Sequence, residues 1–411
     1  MLNKFSLNNF LFISFFLIFL HFIPIGVETQ PHISLILSLV IFFASIKSYN
    51  YVKKDIFFLY LLLAVIFSYA FLQIIYQYSL FPIVELTKYF VGPIIYIAIR
   101  YSNFSISYKV FRNTLYSLIF LGFINLIFPS IYEFIFGIII PRFSGNQVGG
   151  VRGITILTPE PSYFVIFQII LLITIEKQLS YKYITVAERK HLNILKYLAL
   201  FLSLFTKSAL VLLICIIFLI PSKINFKRFF LLILVIPIVA FLTYTFFSEN
   251  RLSQIIKLLY DLFKEGDFNI VTFLFTQESS GGTRVIVNFL AIASIFINPF
   301  GSGLGSFSNM LGFYGAYFGL DISNHEVLGS DSINKIYPQT YFANLCNDIG
   351  IFAMLLFPII LINNDNSNKA YNLKRNLCLV FMILFQSQIT NPAFWYLIAI
   401  SKISHDQKIL K

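Results

Sequence analysis

Apolar residues arrive along this chain in long blocks, at about 8–25, 32–47, 56–75, 84–100, 113–129, 162–176, 192–206, 208–221, 229–247, 339–362, 376–389 and 391–402, with polar and basic stretches between them. A helix crosses the hydrocarbon of a bilayer with about 20 residues, so blocks of this kind predict transmembrane helices, about twelve in all. The pair 192–206 and 208–221 can be read as one long helix or as two. Lys207 lies between them, and a lone lysine at mid-bilayer is costly, which favours a turn there. Asn391-Pro392 marks a break before the last block. At the N-terminus, Lys4 and the run Phe10 to Ile23 imitate a signal peptide. The run is followed by Pro24, Gly26 and Glu28 with no small-x-small cleavage pattern, and a retained first helix is expected.

Composition supports lipid as part of the solvent. Of the 411 residues 58% are hydrophobic and 12% charged, with a mean hydropathy of +0.81; soluble domains carry about a quarter charged residues. The 24 tyrosines suit the headgroup region, where a half-buried ring keeps its hydroxyl hydrated. The net charge of +12 is not read as a nucleic-acid footprint, because the basic residues sit in short loops between apolar runs. Cys215, Cys346 and Cys378 are scattered, with no Cys-x-x-Cys or Cys/His cluster, so neither a zinc site nor a disulfide framework is expected. Cys215 and Cys378 are expected inside helices as small apolar residues.

Charge bias sets the direction of the chain. With the N-terminus inside, the inner loops collect Lys47, Lys53 and Lys54; Arg100, Lys109 and Arg112; Lys177, Lys182, Arg189 and Lys190; Lys223, Lys227 and Arg228; and Lys369, Lys374 and Arg375. Lys4, Lys402, Lys408 and Lys411 join them from the termini. The outer loops, although longer, hold only Arg142, Arg152, Lys207, Arg251, Lys257, Lys264, Arg284 and Lys335, and Lys88 and Lys196 fall in helices. The positive-inside rule therefore places both termini in the cytoplasm. Residues 285–297 are apolar but too short for a span, and are expected as a helix on the outer surface. The reading is one polytopic all-α membrane domain over 1–411, with two sizeable outer loops at 130–161 and 248–338. Function is expected in those loops. No internal repeat of the transporter kind is visible.

The first outer segment holds Arg142, Gly145, Arg152 and Gly153, then Glu160-Pro161-Ser162 at the mouth of the next helix. An arginine fork binds two phosphate oxygens at once, and a carboxylate near a helix N-terminus is favoured as its anion. Lipid headgroups would account for the same arginines. The second segment carries Thr283-Arg284, the short apolar run, and Pro299-Phe300-Gly301-Ser302-Gly303. The glycines are not a dinucleotide loop, since no βαβ unit surrounds them; they let backbone approach a ligand or another helix. His325 follows among acids on loop, where a histidine is usually just solvated. Asn344, Asn347 and Asp348 share one face of the next helix. Polar groups there mark either a functional cavity or interhelical hydrogen bonds.

Arg142-Phe-Ser-Gly145 and Arg152-Gly153 running into Glu160-Pro161-Ser162, Thr283-Arg284 with Pro299-Phe300-Gly301-Ser302-Gly303, and Asp348-Ile349-Gly350 together resemble the Wzy/WaaL superfamily of O-antigen polymerases and ligases. These blocks cover about a fifth of the chain, in matching order between hydrophobic helices. Ligases of the superfamily carry a histidine just before the third block. Here the position reads Gln339-Thr340, which favours polymerase unless His325 substitutes. The resemblance implies polymerisation of polyprenyl-pyrophosphate-linked repeat units at the periplasmic face of a bacterial inner membrane. Arg142, Arg152 and Arg284 would hold the pyrophosphate and Glu160 would act as base, with Gly145, Gly301, Gly303, His325 and Asp348 lining the substrate. No metal or other cofactor is implied. The expected partners are the lipid-linked glycan, membrane lipid, a chain-length regulator and a flippase, and no nucleic acid. The rivals are a ligase, and a flippase or transporter; the latter predicts charges deep in several helices, where Lys88 and Asp348 are the main candidates.

Overall fold

The computed structural model describes residues 4–20, 32–45, 54–77, 81–102, 104–140, 154–181, 183–204, 206, 208–219, 279–320, 322, 336–362, 368–385, 389–403 and 409–410. Among them the chain is all-helical, apart from loops and an isolated bridge between Ile106 and Leu410. The helices are α1 (Lys4–Ser14), α2 (His32–Ser45), α3 (Lys54–Gln77), α4 (Phe81–Tyr101), α5 (Tyr108–Ile127), α6 (Pro129–Phe136), α7 (Phe164–Leu179), α8 (Val186–Leu204) and α9 (Ala209–Leu219). Then follow α10 (Ser279–Ala293), α11 (Phe307–Tyr317), α12 (Tyr341–Ile349), α13 (Leu356–Leu361), α14 (Lys369–Leu384) and α15 (Pro392–Ser401).

Among the described residues five helical stretches are long and apolar enough to cross a membrane: Lys54–Tyr76, Phe81–Tyr101, Tyr108–Ile127, Pro161–Leu179 and Tyr341–Leu361. That is the make-up of a helical membrane protein. The run at 229–247 lies outside the described residues. α8 and α9 are separate helices, with Lys207 itself outside the described residues. Cys215 and Cys378 lie in α9 and α14, and Cys346 in α12, all buried.

Burial sorts the apolar helices into two kinds. Along α7 every residue from Phe164 to Gln178 is buried, and so is all of α15. A helix apolar on all sides and enclosed by others belongs in the centre of a bundle. α7 touches α8, α9 and α15, and α4 touches α2, α3 and α15. α3 and α5 instead leave Phe57, Phe67, Phe71, Phe120 and Ile127 exposed. In water such a surface would be a liability; against lipid tails it is ordinary. Gly92 of α4 lies against Trp395 of α15, where a Cβ would fall 2.7 Å from the indole Cγ. The indole meets the rings of Tyr96 and Tyr341 edge-on, at 5.8 and 5.1 Å.

Charged groups at helix ends pair with one another. Asp55, second in α3, accepts from the Tyr96 hydroxyl and from Arg100 Nε at 3.2 Å. Arg100 Nη1 donates to the Lys402 carbonyl at 3.0 Å. Glu176, in the last turn of α7, takes Lys196 at 2.6 Å and Lys374 at 2.8 Å on one oxygen. Gln178 Oε1 accepts the N–H groups of Ile409 and Leu410, each at 3.0 Å.

The block 339–362, expected as one helix, is interrupted. Gly350 takes φ +60 and a 3₁₀ stretch, Gly350–Leu355, leads into α13. The reason is a hydrogen-bond exchange with a distant loop. The Asn347 carbonyl accepts the Ser302 N–H at 2.7 Å, and the Ile351 N–H turns to the Pro299 carbonyl at 2.8 Å. The helix therefore gives up its own ladder there to hold the glycine-rich segment.

Candidate functional site

Glu160 stands on a strained turn. Ile156 and Leu157 have φ of +38 and +59, a region that β-branched and bulky residues avoid. Such strain persists only where surrounding contacts over-determine it, and it concentrates at functional sites. Two side chains from α5 and α6 hold this turn. Asn125 Oδ1 accepts the Thr155 N–H at 2.9 Å, and the Tyr132 hydroxyl accepts the Leu157 N–H at 2.7 Å. Thr158 Oγ1 then donates to the Glu160 carbonyl at 2.8 Å. Glu160 is extended and caps a short 3₁₀ turn, Pro161–Tyr163, that runs into α7. Its carboxylate thus stands beside a helix start without a side-chain capping bond.

Arg284 comes from α10, which begins five residues before Arg284, so the arginine sits in the second turn rather than at the helix start. Ile286, Val287, Leu290 and Ala291 of α10 are buried in a small apolar cluster with α11 and Ala343 of α12. That packing aims Arg284 at the Glu160 turn. Its Nη2 lies 3.2 Å from Ser162 Oγ and 3.5 Å from Glu160 Oε2, and its guanidinium is 5.7 Å from the centre of the Tyr163 ring. Ser162 Oγ is 3.4 Å from Glu160 Oε2. The Arg284 side chain is 16% exposed and that of Glu160 35%. A contact this long and this open is weak, so an anionic ligand can compete for the guanidinium. Only Nη2 is engaged among the described residues, and the fork keeps further donors for two oxygens.

The second and third sequence blocks interlock. Gly301 and Gly303 adopt φ of +81 and +94. A Cβ on Gly301 would lie 2.6 Å from the Asp348 carbonyl carbon. Gly301 makes a close approach to another helix, which its lack of a side chain allows. The Asp348 carbonyl accepts the Gly303 N–H at 3.2 Å. Its carboxylate accepts the Tyr89 hydroxyl at 2.6 Å and the Gly305 N–H at 3.4 Å. Asn347 takes the Tyr314 hydroxyl at 3.2 Å and donates to Ser306 Oγ at 3.2 Å. Gln73 of α3 holds both the N–H and the carbonyl of Leu304, at 2.8 and 3.2 Å.

Of the residues singled out in the sequence, the structure brings Glu160 and Arg284 together, and Gly301, Gly303 and Asp348 into a second cluster. Arg142, Gly145, Arg152 and His325 lie outside the described residues. Sequence reasoning missed Asn125 and Tyr132, which carry no local signal, since each acts on the backbone of another segment. It also missed Glu85, which pairs with Lys88 at 2.6 Å; their spacing of three along one helix was the available signal. No protein-family model matches the chain, and a search of curated proteins finds no match either.

Proposed function

We propose that this chain polymerises polyprenyl-pyrophosphate-linked oligosaccharide repeat units at the periplasmic face of a bacterial inner membrane, for O-antigen, capsule or exopolysaccharide. The observation that carries the reading is the meeting of Arg284 Nη2 with Ser162 and Glu160 at 3.2 and 3.5 Å, from two outer segments more than a hundred residues apart. A cation with spare donors next to an acceptor-only carboxylate is the minimal equipment for displacing a pyrophosphate. In this mechanism an acceptor sugar hydroxyl attacks the anomeric carbon of the donor glycan. The bond from that carbon to the pyrophosphate oxygen breaks, and polyprenyl pyrophosphate leaves with the electron pair. Arg284, with Arg142 and Arg152 by the family resemblance, neutralises the departing charge. Glu160 takes the hydroxyl proton.

The topology that goes with this function has about twelve spans, both termini cytoplasmic, and outer loops at 130–161 and 248–338. Charges deep in several helices would favour a flippase. Among the described residues the buried Asp55, Glu85, Glu176, Lys374 and Arg375 each sit within two turns of a helix end, and Asp348 lies further into an apolar stretch, Tyr341–Leu361. Polymerase therefore remains the better reading. Deleting the gene and running surface polysaccharide on a gel tests it. Collapse of the repeat ladder to single-repeat material is expected, and an unchanged ladder overturns the proposal.

A further inference from the structure

Three ionisable side chains sit inside apolar helices, two on one helix and one on another. Glu85 and Lys88 lie in the second and third turns of α4, about 6 and 10 Å in from its start. Asp348 lies in the last turn of α12. Ionisable groups within membrane-crossing helices are rare, and they mark functional sites by default. Lys88 Nζ is 2.6 Å from Glu85 Oε1 and 5.0 Å from the centre of the half-buried Tyr337 ring. The Glu85 side chain is 7% exposed and that of Lys88 20%, so the carboxylate is covered and the lysine is partly open. Gly305 supplies part of the cover, since a Cβ there would lie 2.8 Å from Glu85 Cγ. The cluster is also joined to the helix of Arg284. Asn288, one turn beyond Arg284, accepts the Gln339 N–H at 2.8 Å. Gln339 Nε2 in turn donates to the Tyr337 carbonyl at 3.4 Å. The segment 337–339 therefore runs from the arginine helix to Lys88.

We infer that Lys88, Glu85 and Tyr337 form a saccharide subsite, which holds glycan hydroxyls of the lipid-linked substrate while Arg284 meets its pyrophosphate. The subsite rests on the polymerase reading. Its chemistry follows from the groups present. An ammonium only donates, so Lys88 offers its protons to ring hydroxyls, while the covered Glu85 carboxylate holds it in place and cancels its charge. The Tyr337 ring offers an apolar face to the C–H face of a sugar, with a hydroxyl at its rim. The carboxylate also sets the class of ligand. A lysine free of any partner would suit a phosphate, whereas this pair is neutral and suits an uncharged saccharide.

The test uses the full chain in nanodiscs and, as probe, the reducing oligosaccharide released by mild acid from the host's own lipid-linked repeat unit. Saturation-transfer NMR reports binding. Wild type is expected to give a signal that falls to background in Tyr337→Leu and in the double variant Glu85→Gln/Lys88→Met, which removes both charges and strands neither. Arg284→Ala is expected to keep the signal, because the probe lacks pyrophosphate. Full signal in both subsite variants overturns the inference. So does silence from a wild type whose membranes build the ladder. Loss of signal in the variants, with a ladder indifferent to the gene, keeps the subsite and removes the polymerase.

Discussion

Gly301→Ala tests whether the glycine-rich loop is clamped to α12 or merely lies near it. Two terms add. A residue with a Cβ in the left-handed region costs about 1–2 kcal/mol, and Gly301 has φ +81. The new Cβ must also clear the Asp348 backbone, whose carbonyl carbon would be 2.6 Å away. Backbone cannot swing aside as a side chain does, so the loop lifts. Lifting it loosens the bonds from Ser302 to Asn347, from Gly303 to Asp348 and from Ile351 to Pro299, at 2.7, 3.2 and 2.8 Å. At about 1 kcal/mol each, the total comes to about 4–5 kcal/mol. Gly319 provides the control. Its φ is +69, yet nothing lies within 4 Å of its Cβ position, so Gly319→Ala carries only the conformational term of about 1–2 kcal/mol. Thermal unfolding in detergent, followed by circular dichroism, should place Gly301→Ala far below Gly319→Ala, with less Gly301→Ala protein recovered from membranes. Equal melting of the two variants would refute the clamp.

Other expectations follow from the same geometry. Arg284→Ala and Glu160→Gln should each lower chain growth by about 10²-fold or more at normal protein level, read as ladder intensity against a blot; a full ladder in both would remove the site. Tyr132→Phe takes the acceptor from the buried Leu157 N–H, 2.7 Å away, and should cost about 1–3 kcal/mol of stability while weakening chain growth through a displaced Glu160. Unchanged melting and activity would mean that the strained turn holds itself. Glu176→Ala leaves Lys196 and Lys374 without the carboxylate they share at 2.6 and 2.8 Å. Stranding buried charge costs about 3–5 kcal/mol, and Glu176→Ala/Lys374→Met should recover part of the loss in the same melting assay.

Much of the helical framework was legible, because apolar length is a one-dimensional signal. The block 56–75 became Lys54–Gln77, and 84–100 became Phe81–Tyr101. The break at Gly350 was not legible, since it depends on carbonyls that bond to Ser302 and Gly303 from outside the helix. The same limit applies to the site. Glu160 and Arg284 each stood out by residue type and neighbours, but their meeting depends on how α10 packs against α12. Asn125 and Tyr132 act through backbone N–H groups of another segment, and no pattern within their own helices announces that. The cover over Glu85 likewise exists only once the loop around Gly305 is folded onto α4.

Trp395 is the one tryptophan of the chain, fully buried, with an indole Nε1 that finds no hydrogen-bond partner among the described residues. Excited at the red edge, where the 24 tyrosines do not absorb, a chain with a single indole emits from one source, and a dry indole emits toward the blue. Intrinsic fluorescence therefore reports on the contact between Gly92 and the indole with no label introduced. Tyr341 touches that indole at 5.1 Å and opens the helix just after Gln339. Occupancy near Lys88 or movement of α12 against α4 can then be followed in real time by the colour of the protein's own light.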